Sequence, residues 1–300
     1  MTPVWRSLQY VPVHVEKYVA SPHIAAADAV ILDLEDSVPA DRKALARAGL
    51  ADAIPTVARA GADVLVRIND GDMAAQDIAA AVQPGVAALV IPKVRDAARL
   101  THLDDLVSDA EARAGMASGS VRFVVLIETA DGFLDMPAIA RASRRTLAIN
   151  LGNEDFALDL GMEASEETLL MPRQQLVIVA TATGLMPLGL MGSATRFDDP
   201  DAYRALALKS RRFGFVGSSC IHPSQIALLN EAFSPTAEQV VEARRLVQAA
   251  EEAGADGRGA FSIDGRMIDA PIVARAQALI HRHQTIEARD SGGPKRQKSL

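Results

Sequence analysis

The sequence predicts an α/β protein: a (β/α)8 barrel of eight parallel strands with a helical segment appended to its C-terminal side. Three observations carry this. Short, continuously apolar runs recur along the chain, Ala-rich helical stretches separate them, and charged residues gather just after the runs. Runs such as Ala29-Val30-Ile31-Leu32 are what strands buried on both faces look like, and their alternation with helices calls for a parallel sheet. A chain of 300 residues suits one eight-unit barrel and an appendage.

In order, the strands are expected over 7–11, 29–32, 64–68, 87–91, 121–127, 146–151, 185–190 and 214–217. Helices are expected over 40–60, 72–83, 95–115, 131–143, 168–183 and 199–212. No linker divides this stretch, so residues 1–230 read as one barrel domain. After it, Ser234 and Thr236 are candidate N-caps for a helix reaching about Ala253. A glycine-rich bend, a turn-bearing segment over 262–269 and a last helix to about Glu287 make 231–288 a C-terminal helical extension. Residues 289–300, with Lys295, Arg296 and Lys298, read as a disordered tail.

Composition narrows the class. Apolar residues at 49% and charged residues at 23% are globular values, which exclude a mainly disordered chain. Aromatics at 4% mean that the core is filled by Ala, Val, Leu and Ile. The one cysteine, Cys220, cannot make an internal disulfide and reads as a small buried residue. A net charge of −7 argues against nucleic acid as a partner. No apolar run has membrane-spanning length, and the first residues lack a signal-peptide layout, so a cytoplasmic protein is expected.

The polar residues fall where a barrel would use them. Asp33, Glu35 and Asp36 follow the second strand, Arg67 and Asn69 end the third, and Lys93 follows the fourth. Glu128 follows the fifth, Asn153, Glu154 and Asp155 the sixth, and His222 the eighth. All these positions share the C-terminal rim, where barrel active sites are built. Glu128 and Asp155 are the candidate metal ligands, since Mg2+ takes one or two carboxylates and leaves places for water and substrate; the bland alternative is a helix cap and an arginine pair. No Cys/His spacing suits zinc. Arg67 offers a rigid fork for a substrate carboxylate, or else pairs with Asp33 or Glu35. Lys93 is a Schiff-base lysine, a cation for a phosphate or carboxylate or, most simply, a surface lysine. His222 is a general base or, more simply, a histidine serving the start of a helix.

Several ordered motifs then converge. They are Arg6-Ser7-Leu8, Asp33-Leu34-Glu35-Asp36-Ser37-Val38, Val66-Arg67-Ile68-Asn69, Pro92-Lys93-Val94 and Ile127-Glu128-Thr129. Leu151-Gly152-Asn153-Glu154-Asp155, Ile221-His222-Pro223-Ser224-Gln225-Ile226 and Asp264-Gly265-Arg266-Met267-Ile268-Asp269-Ala270-Pro271 follow. The chain resembles the citrate lyase beta-subunit-like CoA-ester lyases, within the HpcH/HpaI aldolase superfamily, over roughly residues 5–285. The resemblance implies a homotrimeric barrel that cleaves a 3-hydroxyacyl-CoA to acetyl-CoA, or a homologue, and a 2-oxo acid. It implies Mg2+ (or Mn2+) on Glu128 and Asp155, with CoA present as part of the substrate. Arg67, Lys93 and Arg6 would contact substrate, with Glu35 and Asp36 supporting the metal and Arg67. Asp269 would be a catalytic residue, delivered by a C-terminal lid packed on a neighbouring subunit. Met171-Pro172-Arg173 departs from the family's Tyr-Ala-Arg pattern, and Met186-Pro187-Leu188 replaces an Asp-containing strand.

The resemblance leaves the thioester open. A standalone lyase on malyl-CoA or citramalyl-CoA is the main expectation. A citrate lyase beta subunit acting on a carrier-protein-bound citryl thioester, a CoA-independent 2-keto-acid aldolase, and a barrel kept for binding alone are the alternatives.

Overall fold

The computed structural model describes residues 2–193, 198–255 and 260–292. The chain divides into two compact units, Met1–Phe233 and Ser234–Leu300. In the first, eight strands run parallel: β1 (Ser7–Pro12), β2 (Ala29–Asp33), β3 (Asp63–Arg67), β4 (Val86–Ile91), β5 (Arg122–Ile127), β6 (Thr146–Leu151), β7 (Met186–Leu188) and β8 (Ser218–Cys220). Each of β1 to β6 pairs with the next, β6 pairs with β7, and β1 also pairs with β8. A bridge between Leu188 and Gly217 closes the ring, helped by Gly189 N–H on the Gly217 carbonyl at 2.9 Å.

Around the strands lie α1 (Glu16–Val19), α2 (Lys43–Arg59), α3 (Ala74–Ala81), α4 (Ala97–Arg113), α5 (Ala130–Leu134), α6 (Met136–Ala142), α7 (Asn153–Leu160), α8 (Leu170–Thr183), α9 (Pro200–Arg212) and α10 (Ser224–Ala232). Strand residues alternate between two cores. Val30, Leu32, Val64, Val66, Leu89 and Ile91 face the helices. Leu8, Ala29, Ile31, Leu65, Ala88, Val90, Val124, Leu126 and Ala148 fill the barrel interior. This division follows from the two-residue period of a strand.

Three elements differ from the sequence expectation. The eighth strand begins at Ser218, not Gly214, because Gly214 (φ +106°) ends the turn after α9, where its N–H meets the Arg211 carbonyl. The helix expected over 131–143 is broken at Asp135, just ahead of Pro137, which has no N–H to continue the ladder. The helix α7, with Glu154 and Asp155 in its first turn, was not expected at all.

The second unit holds α11 (Ala237–Ala255), an antiparallel hairpin of β9 (Phe261–Ile263) and β10 (Arg266–Ile268), and α12 (Ala270–Gly292). Asp264 and Gly265 turn the hairpin with φ of +51° and +76°, the left-handed pair that a two-residue turn needs. The last helix continues to Gly292, past the expected start of the tail; residues 293–300, with Lys295, Arg296 and Lys298, and 256–259 of the bend lie outside the described residues. No described helix is long and apolar enough to cross a membrane.

Candidate active site

The inward alternation of the strands turns polar at their C-terminal ends. Two residues beyond Leu8, Ile31, Leu65, Leu126 and Ala148 stand Tyr10, Asp33, Arg67, Glu128 and Asn150. All five line a cleft of about 440 Å3, together with Asp36, Asp155, Gly189 and Ser219. The strands thus aim these side chains by register alone.

Arg67 is the hub. Its Nε and Nη2 donate to the two oxygens of buried Asp33 at 2.6 and 2.7 Å, and the Tyr10 ring lies 4.7 Å from its guanidinium carbon. Its Nη1 meets Glu35 at 2.9 Å and Asp36 at 3.0 Å. Burial opposes ionisation of Asp33, but hydrogen bonds from Arg67 and Ser37, and from the Glu35 backbone, outweigh it and hold the carboxyl below its usual range. The structural pair with Asp33 therefore exists and takes one full edge of the fork. The Nη1 end is paired with Glu35 and with half-exposed Asp36, so each nitrogen of the fork has a carboxylate partner.

Glu128 is buried, and its Oε2 accepts from the Lys93 backbone N–H at 2.8 Å. Burial first, then the Glu35 carboxylate and Asp155, push its pKa up to about 8, against the pull of the Lys93 N–H and Arg67. Gly152 makes room for it: a Cβ there would lie 2.4 Å from Glu128 Oε1. Lys93 Nζ donates to Glu35 Oε1 at 2.8 Å, which raises the lysine's pKa. Burial raises that of Glu35, against Arg67 and Lys93. Glu128 and Asp155 are the residues able to hold a divalent cation. Among the described residues, no group of three or more His, Cys, Asp and Glu is arranged to hold a metal by itself.

The structure thus brings together Arg67, Glu35, Asp36, Lys93, Glu128 and Asp155. Arg6 goes elsewhere. It precedes β1 at the opposite end of the barrel, buried, with Nε and Nη2 on buried Asp28 at 2.8 and 2.9 Å. That is a structural ion pair on the stability face, not a substrate contact. Asp269 lies in the second unit, between β10 and α12, where its Oδ1 accepts from Ile272 N–H at 3.3 Å. His222 serves the start of α10, its Nδ1 accepting from Ser224 N–H at 3.3 Å. Burial pushes the Cys220 thiol up to about 12.

Sequence reasoning missed Tyr10, Asn150 and Gly152 as parts of the site. The two-residue alternation from Leu8 and Ala148 was the signal for the first two. Nothing in the sequence showed that Gly152 borders Glu128. The role of Arg173 was missed as well: fully buried, it donates to the Met191 carbonyl and, at 3.3 Å, to Asn153, tying the loop after β7 to the start of α7.

Comparison with known proteins gives one family. Residues 6–223 match the HpcH/HpaI aldolase/citrate lyase family. The chain is 32% identical to the citrate lyase subunit beta of Leuconostoc mesenteroides subsp. cremoris, with 92% of each chain covered. It is 35% identical to an L-malyl-CoA/beta-methylmalyl-CoA lyase of Cereibacter sphaeroides, again over 92% of each. Among solved structures it resembles protein CitE of Mycobacterium tuberculosis in complex with magnesium, acetoacetate and coenzyme A, at 28% identity and a TM-score of 0.75, over 94% of this chain and 98% of that one. A citrate lyase of Burkholderia xenovorans LB400 shares the fold at 19% identity and a TM-score of 0.80, over 97% and 93% of the two chains. A barrel with its charged groups gathered at the C-terminal rim, matched across most of its length by lyases, belongs to the HpcH/HpaI aldolase/citrate lyase family and is a carbon–carbon lyase.

Proposed function

We propose that the chain is a Mg2+-dependent lyase, with Mn2+ as a substitute, that cleaves a 3-hydroxyacyl-CoA of the malyl-CoA or citramalyl-CoA type. The products are acetyl-CoA, or a homologue, and a 2-oxo acid. The observation that carries this reading is the meeting of Glu128, Asp155 and the Arg67 cation in one cleft. The donor set suits the metal: two hard carboxylates leave places for water and an oxygen-rich substrate. The crowding of Glu35 and Asp155 against Glu128 is a repulsion that a divalent cation relieves.

Bound there, Mg2+ supplies Lewis-acid stabilisation of oxygen charge on the 2-oxo-acid half. Arg67 attracts and orients the carboxylate of that half by its positive charge, with Asp33 fixing the guanidinium plane. Glu35 and Asp36 hold Arg67 and Lys93 by ion pairs. The substrate's 3-hydroxyl gives up its proton as the carbon–carbon bond breaks, and Asp269, supplied by a neighbouring copy in a homotrimer, would pass a proton to the α carbon of the thioester enolate so released. The support for that role is the resemblance of the segment from Asp264 to Pro271 to the C-terminal motif of these lyases.

The test is release of glyoxylate or pyruvate by the purified chain from malyl-CoA and citramalyl-CoA, with Mg2+ and after EDTA. Metal-dependent release supports the reading and names the substrate. The likeness to citrate lyase beta subunits favours a second reading, in which the acyl group rides on a carrier protein. Turnover of a carrier-bound citryl thioester, with both CoA esters inert, would establish that instead.

A further inference from the structure

Among the described non-glycine residues, Lys93 and Asp264 have positive φ. Asp264 is accounted for by its hairpin turn. Lys93, at φ +53°, sits in the rim between β4 and α4, directly against Glu128. For a residue with a Cβ this left-handed conformation is uncommon and unfavourable, so the surroundings must hold it. Both the backbone and the side chain of Lys93 are engaged. The backbone N–H reaches Glu128 Oε2 at 2.8 Å, and Nζ reaches Glu35 Oε1 at 2.8 Å. Pro92 before it fixes the approach of the chain. Val94 after it is buried, with its carbonyl packed on Gly132, where a Cβ would lie 2.3 Å away.

We propose that Lys93 is a positioning residue whose left-handed backbone fixes one oxygen of Glu128 and leaves the other free for the divalent cation. This deepens the reading above and rests on Glu128 as a metal ligand. It also moves the function of Lys93 from its ammonium to its amide. The ammonium, tied to Glu35, is a separate contact on which the hold on Glu128 does not depend. An extended backbone at residue 93 would swing the N–H off the carboxylate, and Glu128 would lose its preset rotamer. Orienting partners of metal ligands carry roughly 10- to 100-fold in affinity.

The proposal predicts an order that a side-chain role does not. Lys93→Gly, Lys93→Ala and Lys93→Val all remove the ammonium equally. Glycine adopts positive φ freely, alanine at a cost, and a β-branched residue least readily. Mn2+ binding to the metal-free full chain, followed by electron paramagnetic resonance, should therefore weaken little in Lys93→Gly. It should weaken more in Lys93→Ala and about 10-fold or more in Lys93→Val. Equal weakening in all three overturns the proposal, since it assigns the effect to the ammonium. Wild-type protein that binds no Mn2+ sinks the metal reading itself. Crystal structures of the glycine and valine variants then decide the positioning role. A residue 93 N–H kept on Glu128 in the first and lost in the second supports it, and the same contact in both refutes it.

Discussion

Gly152 and Glu128 show how little space the site leaves around its charges. A methyl group at residue 152 would overlap the Glu128 carboxylate, and the neighbouring Lys93 N–H restricts where that carboxylate can go. Gly152→Ala should therefore leave the barrel folded but weaken Mn2+ binding by roughly 10- to 100-fold, measured by titration of the metal-free protein. Unchanged affinity would mean that Glu128 is not the ligand. Arg67→Lys is a second case. Lysine keeps the charge but loses the planar fork that grips Asp33 on one edge and Glu35 and Asp36 at Nη1. The expected result is a fall in kcat/KM of about 100-fold or more, consistent with losing orientation of a reacting group. Most of these residues were legible in the sequence because each ends an apolar run. Arg6 was misread because its motif lies at the start of a strand, where the same residue type faces the opposite rim.

Between elements, buried ion pairs join helices to the barrel strands. Arg145, just before β6, binds Glu111 of α4 through Nη1 and Nη2 at 2.8 Å each, and Glu111 also accepts from Val121 N–H at 2.7 Å. One carboxylate thus joins α4 to the starts of β5 and β6. Burial opposes its ionisation, but Arg145 and the Val121 and Gly119 N–H groups hold its pKa below the usual range. The sign follows directly. A carboxylate whose folded pKa is depressed stabilises the fold above its unfolded pKa, and that contribution is lost as pH falls through the folded value. Glu111 and Asp33 should both make thermal stability drop on acidification below about pH 4, where free carboxyls protonate. Glu111→Gln should cost about 3–5 kcal/mol at neutral pH, as breaking a buried pair does, and flatten the acid limb of a Tm-versus-pH curve. An unchanged acid limb would remove Glu111 from the account. At this scale the sequence was legible for long apolar strands and Ala-rich helices. It was not for β8, whose Ser218 and Ser219 border the cleft and carry no apolar signal. Nor was it for α7, an eight-residue helix whose first turn is acidic and belongs to the site.

Across the whole molecule, two features can be tested. Ring closure depends on Gly217, where a Cβ would lie 1.8 Å from the Trp5 carbonyl oxygen. Gly217→Ala should destabilise the barrel by about 3 kcal/mol or more, the upper end for overpacking, read from urea unfolding. Sharing of the site between copies has its own test. Asp269→Asn and Glu128→Gln variants, each inactive, should recover activity when unfolded and refolded together if Asp269 serves a neighbour's cleft. Continued inactivity, with assembly intact, would place Asp269 in the cleft of its own chain. The architecture was readable because eight-fold alternation needs only periodicity and length. For Asp269 only the family resemblance says which barrel the segment serves, since no local pattern does.

Closure also sets an order of events during synthesis. The last barrel strand pairs with the first, Ser7 opposite Ser218 and Leu8 opposite Ser219. Until the ribosome has released residues near 220, β1 therefore carries a bare row of backbone donors and acceptors, as any edge strand does. A nascent chain stalled within α9 exposes that edge beside the apolar interior that Trp5 and Leu8 share. In that interval, rather than in the finished protein, an open strand edge and apolar surface are exposed together, the combination that favours aggregation.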